Sequence, residues 1–269
     1  VPYKVKRFDR EIKDHEFHKT QRLTTTGILA VSSNTGTILI GESLGASKLH
    51  DYLSKFGIGQ STNSGLPGES NGILAPVSQW SGTSLPTIAF GQGYSVTAMQ
   101  ATQVFATIAN NGVRVSPTVI AGTSDAQGRF TPAKRNQKGV RVISPETAKT
   151  MRLMMESVVT PNGTAPSAAI KGYRVAGKTG TAMRFDKSCN CYSGYTASFI
   201  GFAPADNPKY VINVTIQRPQ GMHWGGALGG PVFHDVMSFV LQSKKITPTG
   251  GKPKPMALNE AEVKHDSAA

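Results

Sequence analysis

Lys178-Thr179-Gly180-Thr181-Ala182, which follows Tyr173-Arg174-Val175-Ala176-Gly177, decides how this chain is read. It sets a cation, two hydroxyls and a glycine in consecutive positions of what reads as a strand. Side chains alternate along a strand, so Lys178 and Gly180 are expected on one face and Thr179 and Thr181 on the other. Gly180 leaves room for a second backbone to lie against the strand edge. A cation, two hydroxyl donors and an open edge form a site for a peptide that ends in a carboxylate.

A second constellation, Ser32-Ser33-Asn34, closes the apolar run Gly27-Ile28-Leu29-Ala30-Val31. A hydroxyl and an amide two residues apart at a helix end can hold a proton relay and a peptide carbonyl. Ser33, between them, reads as a helix-end residue. Each motif alone has an ordinary explanation, since Lys-Thr-Gly recurs by chance and Ser-Ser-Asn is a common turn.

Together and in this order, the two resemble the Ser-x-Asn and Lys-Thr-Gly motifs of penicillin-binding proteins and serine β-lactamases. Leu23-Thr24-Thr25-Thr26-Gly27 before Ser32-Ser33-Asn34-Thr35-Gly36 is similar to the class B, septal type of penicillin-binding protein. So are Leu53-Ser54-Lys55-Phe56-Gly57-Ile58-Gly59-Gln60, Gly65-Leu66-Pro67-Gly68-Glu69-Ser70 and Gly91-Gln92-Gly93-Tyr94-Ser95-Val96-Thr97. Ala109-Asn110-Asn111-Gly112-Val113 and Phe199-Ile200-Gly201-Phe202-Ala203-Pro204-Ala205 extend the resemblance.

The resemblance implies an α+β transpeptidase fold, an antiparallel sheet against a helical subdomain with the site in the cleft between. Residues 1–242 would be the C-terminal part of that domain, holding the sheet's last three strands, and residues 243–269 a disordered tail. The family's nucleophile motif, Ser-x-x-Lys, is not found: no lysine has a serine three positions before it, and the nearest imitation is Thr131-Pro132-Ala133-Lys134. The chain is therefore expected to begin after the catalytic serine and to be inactive alone.

The same resemblance implies peptidoglycan D,D-transpeptidation through a serine acyl-enzyme on stem peptides ending in D-Ala-D-Ala, with β-lactams as inhibitors. Ser32 would relay a proton, assisted by Lys178, and Asn34 would hold a substrate carbonyl. Thr179, Gly180 and Thr181 would bind the terminal carboxylate, and the Thr181 N–H would serve the oxyanion hole. The implied location is the extracytoplasmic face of a bacterial cell membrane, with the protein's own N-terminal part and a division machinery including a glycosyltransferase as partners. A serine β-lactamase and a non-catalytic β-lactam or peptidoglycan sensor are the competing readings.

Length and composition agree with a globular body: 269 residues, 38% hydrophobic and 17% charged. The net charge of +13 is scattered without runs, and no nucleic-acid motif is present, so nucleic acid is not an expected partner. No metal or cofactor is expected. Cys189 and Cys191 could be free thiols, a disulfide or half of a metal site. No apolar run is long enough to span a membrane.

Along the chain, residues 1–22 read as an irregular connection into a helix capped near Thr24. Ser47 is expected to cap a second helix through Leu49, Tyr52, Leu53 and Phe56. Thr97 and Gln100 read as a capping box, with Ala101, Val104, Phe105 and Ile108 as the buried stripe. Ser144-Pro145-Glu146 opens another helix. Tyr195 to Phe202 and Tyr210 to Ile216 read as paired strands. Gly230-Pro231 is expected to open a last helix with Val232, Phe233, Val236, Met237 and Val240 inward. Tyr94 and Tyr195 read as packing residues, and His223-Trp224-Gly225-Gly226 as a loop at the cleft rim.

Overall fold

The computed structural model describes residues 1–133, 138–251 and 256–266. In chain order the elements are β1 (Lys4–Arg7), β2 (Arg10–Lys13), α1 (Thr25–Ala30), α2 (Asn34–Leu44) and α3 (Ala46–Lys55). There follow α4 (Ser84–Ala89), α5 (Ala98–Ala109), β3 (Val113–Arg114), β4 (Gly122–Ser124), β5 (Phe130–Pro132), β6 (Val140–Arg141) and α6 (Pro145–Glu156). The last are β7 (Ala176–Asp186), β8 (Cys191–Ala203), β9 (Tyr210–Gln217), α7 (Gly225–Ser243) and α8 (Glu260–Asp266).

β7, β8 and β9 form an antiparallel sheet in that order, so β8 is central and β7 and β9 are its edges. Alternation along β8 sends Phe199 and Ala203 to one face and Phe202 to the other. On the first face Phe199 meets Phe233 of α7 edge-on, ring centroids 4.9 Å apart, with Met237 and Leu241 below. On the second, Phe202 and Ala176 pack with Ile108 of α5 and Met155 of α6. A sheet buried on both faces explains why the end of β8 has no polar alternation.

The helix signals at Thr24, at Thr97 with Gln100, and at Ser144 act as expected. On α5, however, the fully buried residues are Gln100, Gln103, Thr107 and Ile108, while Ala101, Val104 and Phe105 are only partly covered. Ser47 does not cap α3, whose N-cap is Gly45 at φ 84° without a side-chain bond. α7 begins at Gly225, with Pro231 inside it. Its glycines act as contact points rather than breakers: a Cβ at Gly226 would lie 2.0 Å from the Thr164 carbonyl. Val232 and Val236 point outward on this helix.

Residues 1–22 are irregular only in part, from residue 14 onward. β1 and β2 form a hairpin that pairs Val5 with Ile12, its charges on the open positions and Phe8 at φ 54° in the turn. Cys189 and Cys191 are joined by a disulfide at the tip of the β7–β8 hairpin. Among the described residues no helix is long and apolar enough to cross a membrane.

Within the tail expected to be disordered, residues 252–255 and 267–269 lie outside the described residues, and residues 256–266 depart from that expectation. Residues 256–259 return to the start of α1, where Thr24 donates its N–H to the Leu258 carbonyl (3.0 Å) and its hydroxyl to the Ala257 carbonyl (2.6 Å). α8 follows, with Asn259 and Glu262 bonding reciprocally at its start. Composition hides this because the segment orders by backbone bonds to α1 rather than by burying a large apolar face.

Gly27 sits under that contact, and a Cβ there would lie 1.9 Å from the Leu258 oxygen. Glycine-to-alanine in a helix normally stabilises by about 0.5–1 kcal/mol. Gly27→Ala is expected to do the reverse, by about 1–3 kcal/mol from overpacking. Unfolding midpoints check this, and removing residues 256–269 should turn the same substitution stabilising.

Candidate active site

The turn between α1 and α2 and the edge strand β7 converge. Lys178 Nζ donates to Ser32 Oγ at 2.7 Å across 146 positions of sequence. It also reaches the Thr179 carbonyl at 3.1 Å and Thr179 Oγ1 at 3.3 Å. Lys178 and Thr179 start on opposite faces, and they meet because a lysine on an edge strand can fold over that edge.

Ser32 is held from α1: its N–H donates to the Leu29 carbonyl at 3.3 Å, and that of Ser33 to the Ile28 carbonyl at 3.0 Å. Its backbone lies at φ 57°, in the left-handed region. For a residue with a Cβ this costs about 1–3 kcal/mol, so the surroundings must fix the turn. Ser33 begins a helix rather than ending one. Its Oγ accepts from the Gly36 N–H at 2.9 Å as N-cap of α2.

Asn34 is the first residue of α2, and its Nδ2 donates to the Lys13 carbonyl at 3.0 Å. One amide proton is thereby used and the other remains for a substrate carbonyl. Asn34 takes no part in the Lys178–Ser32 bond.

The Lys178 side chain is partly covered, and its ammonium lies where protein displaces water. That desolvation lowers its pKa from the ordinary 10.5 to about 8. Below that value Lys178 is a cation that donates to Ser32 Oγ and frees the serine proton to be donated elsewhere. The pair is therefore suited to pass a proton to a departing nitrogen.

Thr181 Oγ1 accepts from the Gly225 N–H at 3.1 Å, leaving its own proton free to be donated. Thr179 Oγ1 lies 2.9 Å from Thr164 Oγ1 and is already engaged with Lys178. Thr181 is thus the freer hydroxyl of the two. Gly180 has a reason besides strand-edge access: a Cβ there would lie 2.5 Å from Ser198 Oγ. The start of α7 crosses closely, so that a Cβ on Gly225 would lie 2.3 Å from the Gly180 carbonyl oxygen.

Tyr195 stacks on His223 with centroids 4.1 Å apart and planes 10° from parallel. His223 meets Trp224 at 4.4 Å, and Trp224 meets His15 at 3.7 Å. Trp224 caps α7 and Gly225-Gly226 open it, so the expected loop stops at Trp224. Two contacts escape a reading of the sequence: Thr164 carries no motif, and Asp14 bonds residues 19 and 21 positions further along the chain. Among the described residues no cluster of three or more His, Cys, Asp or Glu could hold a metal ion.

Comparison with known proteins gives matches over nearly the whole chain. The family model described as penicillin binding protein transpeptidase domain matches residues 2–238. Penicillin-binding protein PbpB of Mycolicibacterium smegmatis is 43% identical over 254 residues, covering 90% of this chain and 39% of that protein. Peptidoglycan D,D-transpeptidase FtsI of Escherichia coli is 36% identical over 266 residues, covering 97% of this chain and 43% of that protein. The crystal structure of penicillin binding protein 3 from Mycobacterium tuberculosis complexed with ampicillin superposes with a TM-score of 0.87 at 38% identity. That match covers 96% of this chain and 59% of the other. The chain thus spans about two-fifths of the length of these curated relatives.

Proposed function

The chain belongs to the penicillin-binding protein transpeptidase family, and from that premise we propose that it supplies the proton relay and the carboxylate site of a serine D,D-transpeptidase. The substrate is a peptidoglycan stem peptide ending in D-Ala-D-Ala, and β-lactams are the inhibitors. The observation that carries the reading is the 2.7 Å bond from desolvated Lys178 to Ser32, beside Thr181 with its free hydroxyl proton.

A serine hydroxyl attacks the carbonyl carbon of the penultimate D-Ala, and the C–N bond to the terminal D-Ala breaks. Ser32 gives its proton to the departing nitrogen and recovers one from Lys178. The Lys178 cation and the Thr179 and Thr181 hydroxyls hold the terminal carboxylate, and Gly180 lets the peptide approach the edge of β7. The Thr181 N–H donates to the oxyanion, while Asn34 holds a peptide carbonyl through its remaining amide proton. An amine of a second stem peptide then attacks the acyl-enzyme and releases the serine, forming the crosslink. The attacking serine belongs to a Ser-x-x-Lys motif, which residues 1–269 do not contain.

The likeness to PbpB and FtsI supports work at a division septum, on the extracytoplasmic face of a bacterial membrane. A glycosyltransferase and other division proteins are the partners this reading carries.

Thr181→Val tests the carboxylate site in the longer protein that carries this chain together with its nucleophile. Valine preserves volume and removes the donor. A hydrogen bond to a charged group contributes about 1.5–3 kcal/mol, so penicillin acylation should slow by about ten- to a hundredfold. A penicillin methyl ester, which has no carboxylate, should show no such difference. An unchanged rate with the free acid would remove Thr181 from the site.

A further inference from the structure

We propose that Asp14 is a positioning residue for the Ser32–Lys178 pair, an inference that rests on reading that pair as the proton relay. Asp14 follows β2 directly, and its carboxylate is buried beneath the turn between α1 and α2, the residue being 6% exposed. Oδ1 accepts the Thr35 N–H at 2.9 Å. Oδ2 accepts the Ser33 hydroxyl at 2.7 Å and faces His18 Nε2 at 2.9 Å. Thr35 Oγ1 lies 3.2 Å from the same oxygen, its proton shared with the Pro2 carbonyl at 2.7 Å. Asp14 is anchored in turn through its own N–H to the Tyr3 carbonyl at 2.9 Å.

One carboxylate therefore grips the residues on both sides of Asn34 and immediately after Ser32. The order of the bonds matters. With its proton committed to Asp14, Ser33 Oγ must turn a lone pair toward the Gly36 N–H, which is the cap that starts α2. A carboxylate at that helix start is further favoured by the helix dipole. The start of α2 and the end of α1 together define the backbone between them, and that backbone holds Ser32 at φ 57°. Asp14 touches neither Lys178 nor the cleft, so it acts through Ser33 and Thr35. The position between the serine and asparagine of the motif is thus not a free one in this chain: it needs a hydroxyl.

The test uses Asp14→Asn and Ser33→Ala in the longer protein that carries this chain and its nucleophile. Asparagine keeps the shape and can still accept the Thr35 N–H, but it puts an amide donor where Oδ2 accepts the Ser33 hydroxyl, so that bond must reverse and loses its charged acceptor. Misplacement of a reacting group by about 1 Å costs about a hundredfold, and a loss of about ten- to a hundredfold is expected in the first-order acylation constant k2. The dissociation constant of the preceding non-covalent penicillin complex should stay near wild type. The double variant should be slower than Ser33→Ala by a smaller factor than Asp14→Asn is slower than wild type, since the two share the Ser33–Asp14 contact.

A crystal structure of Asp14→Asn should show Ser32 Oγ beyond hydrogen-bond reach of Lys178 Nζ. Wild-type k2 in Asp14→Asn, measured well below its melting temperature, would overturn the proposal, as would retention of the Ser32–Lys178 bond in that structure. If Asp14→Asn does not fold, Ser33→Ala decides, and wild-type k2 there overturns the proposal equally. If the unaltered protein is not acylated at all, the relay reading fails, while the Ser32–Lys178 distance still judges Asp14.

Discussion

Lys178→Met is expected to slow penicillin acylation of the longer protein by about 10²–10³-fold, the scale seen when a preorganised electrostatic donor is removed. Methionine keeps most of the length and apolar bulk and loses the ammonium. Two functions disappear together: the donor that recharges Ser32, and the cation that faces the substrate carboxylate. The pH profile separates this from a packing defect. Because desolvation holds the Lys178 pKa at about 8, the cation is present below that pH and is lost as pH rises through it. Carboxylate-dependent acylation should therefore fall on the alkaline side of pH 8 in the unaltered protein. In Lys178→Met the rate should be low and should lack that alkaline decline. An unchanged rate in the variant would show that Lys178 is not in the reaction.

Glu156→Ala should destabilise the fold by about 3–5 kcal/mol, the usual result of leaving one member of a buried ion pair without its partner. Glu156 ends α6, and Arg174 leads into β7. The guanidinium spans both carboxylate oxygens, at 2.9 Å from Nε and 2.6 Å from Nη2, and the side chains are 5% and 18% exposed. Arg174 has its pKa raised by that hydrogen bond, and Arg152 nearby has its own lowered by desolvation and then by Arg174. Without Glu156, the Arg174 and Arg152 guanidinium groups repel each other, with only the weaker influence of Asp206 on Arg174 left to oppose it. Denaturant unfolding should report the loss. Replacing Glu156 and Arg174 together by apolar residues should restore much of it, because a buried pair adds little over good packing. A single-variant change under about 1 kcal/mol would show that the pair does not anchor β7.

What could be read from sequence follows from where the physical signal lay. Thr97 with Gln100, and Ser144 with Pro145, announce helices because capping is a local exchange of hydrogen bonds within one turn. The sheet is legible because the end of β8, from Phe199 to Ala203, is apolar and β9 alternates Ile212, Val214 and Ile216 with polar residues, the two separated by Asp206-Asn207-Pro208. Lys178 and Ser32 could be paired only through resemblance, since nothing in their composition links positions so far apart.

The features missed depend on partners distant in sequence. Asp14 reads as one acid in a charged segment, and its meaning appears only when Ser33 and Thr35 fold over it. Gly225 and Gly226 read as a loop, yet they open α7 and are small because it presses there on Gly180 and Thr164. The tail reads as disordered from its lysines and prolines, while its order comes from Thr24 donating to Ala257 and Leu258. The β1–β2 hairpin hid for a related reason: one apolar pair, Val5 with Ile12, is too little to stand out among the charges.

Treating the longer protein with penicillin and mapping the acyl adduct by mass spectrometry separates a relay at Ser32 from a nucleophile there. One stoichiometric adduct is expected, on the serine of a Ser-x-x-Lys motif outside residues 1–269, with none on Ser32 and formation strongly slowed in Lys178→Met. A stoichiometric adduct on Ser32 or any other serine of these 269 residues, or undiminished labelling without Lys178, would contradict it.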